Sequence, residues 1–76
     1  MEEFNRITRN PAVMGGKACI RGMRVTVGMI LGQIAEGTTP EDLLREFPYL
    51  EREDVTQALR YASSLASERE VYLASA

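Results

Sequence analysis

Histidine and tryptophan are absent from this chain, and cysteine occurs once in 76 residues. Without histidine there is no side chain whose ordinary pKa suits it to general acid–base work near neutrality, and Cys19 has no neighbour to activate it. One cysteine also rules out an internal disulfide, and no histidine–cysteine cluster is present to hold a structural metal. Long apolar runs are missing too. None approaches the roughly twenty residues that a membrane helix requires, and the acidic opening Met1-Glu2-Glu3 is unlike the basic start of a signal peptide. These absences lead us to expect a cytoplasmic, non-enzymatic protein with no cofactor and no metal. A chain of this size buries only about 60% of its extended surface, so a homo-oligomer, in the simplest case a homodimer, is expected to supplement the core.

Charge is short in net amount but unevenly placed. The formal net charge is −2, yet residues 1–33 carry five cations against two acids, whereas residues 34–76 carry four against nine. Attraction to phosphate or to an acidic partner therefore belongs to the N-terminal half.

The most distinctive segment lies in that half. Gly15-Gly16-Lys17-Ala18-Cys19-Ile20-Arg21-Gly22-Met23-Arg24-Val25 sets glycines and cations around short apolar pieces, the signature of a basic β-hairpin. Phe4 to Arg9 alternate as a half-buried strand does, and Asn10-Pro11 stops them. Two further strands are expected at 18–20 and 23–25, turning at Arg21-Gly22. A phosphate-loop reading of Gly15-Gly16-Lys17 fails, because Pro11 and Ala18 stand where glycine and Ser/Thr are needed. The glycines are instead expected to serve a positive-φ turn. Cys19, on an apolar strand, reads as a buried structural thiol.

A helical pattern follows. Thr26 is placed to cap a first helix whose inward face is Val27, Ile30, Leu31 and Ile34, with Gly37 at its end. Gly28 and Gly32 on this helix form a small-xxx-small step suited to close helix contact or merely tolerated. Thr39-Pro40-Glu41-Asp42 opens a second helix, which buries Leu43, Leu44 and Phe47 and stops at Pro48. A third begins near Arg52, with Val55, Ala58, Leu59, Ala62, Leu65 and Ala66 on one stripe and Glu53, Thr56, Gln57, Arg60 and Ser64 opposite. Glu51, Glu53 and Asp54 suit the positive end of that helix better than a metal site. The layout predicts a mostly α fold, a three-helix helix-turn-helix unit with an N-terminal β-hairpin, forming one domain over 1–76: hairpin region 4–25, helical unit 26–67 and tail 68–76.

Taken together, Gly15-Gly16-Lys17, Ile20-Arg21-Gly22-Met23-Arg24-Val25, Pro40-Glu41-Asp42-Leu43, Phe47-Pro48, Glu53-Asp54-Val55 and Ala58-Leu59-Arg60-Tyr61-Ala62 resemble the family known as domain of unknown function 433. Ala18, Met23 and Thr26 stand where proline, threonine and proline are common in that family. The resemblance implies a homeodomain-like helix-turn-helix with a hairpin before it. Some members resemble VapB-type antitoxins encoded beside a toxin of PIN-like ribonuclease fold.

The expected function is accordingly that of an antitoxin-like protein that binds and neutralises a PIN-like nuclease and binds its own operator DNA as a dimer. The alternative is a stand-alone helix-turn-helix DNA-binding regulator with no toxin partner. Toxin contacts are expected from Lys17, Arg21 and Arg24 on the hairpin, since a guanidinium fork suits carboxylates. Apolar contact is expected from Tyr61 and from Tyr72 in the Val71-Tyr72-Leu73 tail. Operator contacts are expected from Arg52, Thr56, Gln57 and Arg60, with glutamine suited to adenine and arginine to guanine or phosphate.

Overall fold

The computed structural model of the chain describes residues 4–68. Its elements in order are β1 (Ile7–Thr8), a 3-10 turn (Met14–Gly16), β2 (Cys19–Ile20), α1 (Val27–Ala35), α2 (Pro40–Glu46) and α3 (Arg52–Glu68). This is a three-helix helix-turn-helix unit preceded by a small antiparallel hairpin.

The hairpin departs from the expected pairing. β2 pairs with β1, Ile7 opposite Ile20 and Thr8 opposite Cys19. The expected strand at 23–25 is not formed as one. That segment still folds back on β2, with the Ile20 amide donating to the Val25 carbonyl at 2.9 Å and an isolated bridge between Cys19 and Thr26. The ladder stops there because Thr26 is already the cap of α1, its side-chain oxygen accepting from the Met29 amide at 3.0 Å. The turn lies at Arg21-Gly22 as expected. Both residues have positive φ, 48° and 73°, and the Met23 amide donates to the Ile20 carbonyl at 2.8 Å, the type I′ geometry that matches strand twist. Gly15 and Gly16 also have positive φ, the conformation their turn was expected to need.

The helices start and stop where their capping residues direct. Thr39 accepts from the Asp42 amide at 3.1 Å, Pro40 occupies the first turn of α2, and Glu41 and Asp42 face its positive end. Gly37, at φ 101°, terminates α1, its amide donating to the Ile34 carbonyl at 3.0 Å. Ile20, Val25, Val27, Ile30, Leu43, Leu50, Val55 and Ala58 form the core, with Ile7, Leu31, Ile34, Leu44, Phe47 and Tyr61 packed around it. Cys19 is buried and free, its thiol donating to the Lys17 carbonyl.

α3 is rotated relative to the expected stripe. Its buried arc runs through Asp54, Val55, Gln57 and Ala58, while Leu59 and Leu65 are about two-fifths exposed and Ala66 is exposed. The expected stripe followed apolar character alone. The observed arc admits two polar side chains because the hairpin offers them partners. The small-xxx-small step on α1 is not a helix contact either. A Cβ at Gly32 would meet nothing within 4 Å, and one at Gly28 only the Thr26 hydroxyl at 3.9 Å. Gly32→Ala is therefore expected to stabilise the fold by roughly 0.5–1 kcal/mol through backbone entropy. Thermal unfolding by circular dichroism should show a rise of a few degrees; a fall would mean that this face of α1 is covered.

Candidate functional site

Asp54 is fully buried, and burial alone would push its carboxyl up towards the neutral form. It is instead held below the ordinary carboxylate range by the hydrogen bonds it accepts. The Arg21 guanidinium donates twice, Nε to Oδ1 at 3.0 Å and Nη2 to Oδ2 at 2.8 Å. The Glu51 amide donates at 2.8 Å and Arg6 Nη1 at 3.0 Å. These four bonds fill the acceptor capacity of a carboxylate. Asp54 is also the third residue of α3, so its bond to the Glu51 amide is the return arm of a capping box.

The surrounding bonds extend this network through the N-terminal half. Arg21 Nη2 also donates to the Tyr49 carbonyl at 2.8 Å, and its backbone amide donates to the Arg6 carbonyl at 2.7 Å. Arg6 Nη1 also donates to the Glu51 carboxylate. Gln57 accepts from the Arg6 amide at 2.9 Å and donates to Asn5 Oδ1 at 2.9 Å and to Glu53 at 3.2 Å. Thr8 Oγ1 accepts from the Gly22 amide at 2.9 Å. The result is a hairpin clamped at its turn and its first strand to the start of α3.

This geometry reassigns several expected contacts. Arg21, expected as a toxin contact, spends Nε and Nη2 on Asp54 and on the Tyr49 carbonyl, although its side chain is still about one-third exposed. Gln57, expected to read a base, is buried with both ends of its amide occupied. Arg52 lies exposed on α3 and pairs with Glu41 at 2.9 Å, holding that carboxyl below its ordinary range. Thr56 is half-buried and Arg60 exposed. Tyr61 is half-buried, its ring edge-on to Phe4 with centroids 5.6 Å apart. Tyr72 lies outside the described residues. Lys17 and Arg24 are exposed, and like Arg9 and Arg60 they make no ion pair among the described residues. No group of metal-ligating side chains among the described residues is placed to hold an ion.

Asp54 was not anticipated as the hub. Two signals for it lie in the sequence: its place three residues after Glu51, and its helical spacing with Ala58, Tyr61 and Leu65 on the inward side of α3.

Residues 7–62 match the family described as a protein of unknown function, DUF433. The chain belongs to that family. Its fold is similar to the crystal structure of a DUF433 member protein from Anabaena variabilis, at 31% identity and a TM-score of 0.78, covering 84% of this chain and 63% of that one. It is 32% identical over 68 residues to the uncharacterized protein y4eO of Sinorhizobium fredii, covering 87% of this chain and 31% of that protein. The chain thus spans about a third of the length of this curated relative.

Asp54→Asn keeps the shape but halves the acceptor capacity and removes the charge opposite two guanidinium groups. The expected loss at neutral pH is about 2–4 kcal/mol. Because the folded carboxyl is held below its unfolded value of about 3.9, its contribution is complete above that pH and disappears as pH falls through the depressed folded value. Urea unfolding should show the gap between wild type and variant closing on acidification. A gap that is constant with pH, or absent at neutrality, would contradict the assignment.

Proposed function

We propose that the chain is an antitoxin-like binding module that presents Arg24, on the anchored hairpin, to a carboxylate-rich partner, and that the partner is a PIN-like ribonuclease. The observation that carries this reading is a division of labour between two neighbouring arginines. Arg21 locks the turn to Asp54, while Arg24, three residues on, is exposed and makes no ion pair among the described residues. An arginine on a backbone already fixed in place loses less freedom on binding than one on a mobile loop. PIN-like nucleases gather carboxylates to hold divalent metal, and a guanidinium can neutralise such a site without metal.

Operator binding is the second part of the reading and rests on the helix-turn-helix plan. Thr56 and Arg60 remain on α3 for it, since Arg52 is paired and Gln57 buried. Exposed Glu41, Glu51 and Glu53 around the start of α3 oppose a phosphate backbone. Partner binding is accordingly placed first. A cytoplasmic setting accords with the free, buried thiol of Cys19.

Co-expression with a neighbouring PIN-like ribonuclease tests the proposal. Wild type is expected to restore growth and to co-purify with the nuclease, and Arg24→Ala to weaken the complex at least about tenfold, as loss of a well-placed charged contact does. Thermal stability should be unchanged, because Arg24 makes no bond within the described fold. Unaltered rescue and co-purification by Arg24→Ala would reject the hairpin mechanism.

A further inference from the structure

α3 carries a groove at one end and follows an exposed aromatic turn at the other, and the two are complementary. The groove, of about 480 Å³, lies between α1 and the second half of α3; Leu31, Tyr61, Ala62 and Leu65 give it an apolar lining, and Arg9 and Lys17 add two cations. Its apolar part continues the buried stripe of α3 beyond the core. Ala58 is fully buried, Ala62 half-buried and Leu65 exposed.

At the opposite end, the turn between α2 and α3 projects Tyr49, 47% exposed and flanked in sequence by Glu46 and by Glu51, whose carboxylate is paired with Arg6. The tyrosine is held outward. Its ring packs edge-on against Phe47 with centroids 6.0 Å apart, and its carbonyl accepts from Arg21. Glu46 is exposed and has no ion-pair partner among the described residues.

Within one chain these features cannot meet. From Arg52 to Leu65, α3 is a rigid rod of roughly 20 Å, with the turn before one end and the groove beside the other. An acidic, aromatic knob and a cationic, apolar groove at opposite ends of a rod are satisfied by a second rod laid antiparallel, which brings both pairs together about a two-fold axis and closes the assembly. A tyrosine suits this use, since it offers a large contact area with few rotatable bonds.

We infer that the chain pairs with a second copy of itself, the Tyr49 turn of each copy seated in the groove between α1 and α3 of the other. Arg24 is not among the residues that line the groove, so the dimer and the proposed nuclease complex are tested through different residues.

Sedimentation equilibrium at micromolar concentrations tests the inference on the purified protein alone. The wild type is expected to be dimeric. Tyr49→Ala, Lys17→Glu and Glu46→Lys should each weaken the dimer at least about tenfold, since like charges brought together at an interface are strongly disfavoured. The decisive arm is an equimolar mixture of the Lys17→Glu and Glu46→Lys chains. Each reversed groove then faces a reversed turn and each native groove a native turn, so association should return to near the wild-type strength. All three residues are exposed, and circular dichroism verifies that each variant is folded; the charge pair gives a readout even where Tyr49→Ala loosens its turn. A monomeric wild type, a dimer insensitive to these variants, or charge variants that do not recover on mixing would each overturn the inference. None of these results bears on rescue from the nuclease, which the Arg24→Ala comparison reads separately.

Discussion

A carboxylate removed from water must be neutralised or fully bonded, and in this protein Asp54 imposes that requirement on the rest of the structure. Its partners come from three places far apart in the chain: Arg6 before β1, Arg21 in the hairpin turn and the Glu51 amide ahead of α3. Each bond has an architectural consequence. The Glu51 bond sets where α3 begins, the Arg21 bonds fix the hairpin against that helix, and the Arg6 bond draws in the segment leading to β1. Two-residue strands would contribute little stability by themselves. Their position therefore follows from the ionic anchor and from Ile20, which is buried in the core beside them.

The anchor also determines which charges reach the surface. Arg6 and Arg21 are absorbed by it, and Arg45 and Arg52 are paired with Asp42 and Glu41. Among the described residues Arg9, Lys17, Arg24 and Arg60 are left without an ion pair. The first three lie in the hairpin region, and Arg60 lies on the open side of α3. Positive potential is thereby concentrated in the N-terminal region, while exposed carboxylates surround the junction of α2 and α3. A helix-turn-helix fold does not by itself make a DNA reader. Partner binding is proposed ahead of operator binding on this distribution of charge.

Much of the fold was legible because its signals are local. Thr26 and Thr39 cap the helices that follow them, Pro40 occupies a first turn, Gly37 takes a positive φ, and Arg21-Gly22 forms the turn. These outcomes depend on a few neighbouring residues and on steric rules common to all chains. The candidate site was less legible. Lys17, Arg24 and Arg60 stand exposed as their types suggest, but the bonds of Arg21 to Asp54 and the burial of Gln57 were not visible to the same reasoning. Their bonds to Asp54 and to the Arg6 amide depend on partners more than thirty residues away, and neither arginine nor glutamine declares in sequence which carboxylate or amide it will meet.

The amino-acid sequence by itself determined the helices, their ends, the glycine turns and the segregation of charge between the two halves, because each follows from spacing and composition along the chain. Only the tertiary structure decided how α3 is rotated, and hence that Asp54 and Gln57 face inward while Leu59 is left exposed. The reason is energetic. Apolar periodicity favours burying Leu59, but the bonds available to Asp54 and Gln57 exist only once the hairpin lies across α3. An unbonded carboxylate in that position costs more than an exposed leucine.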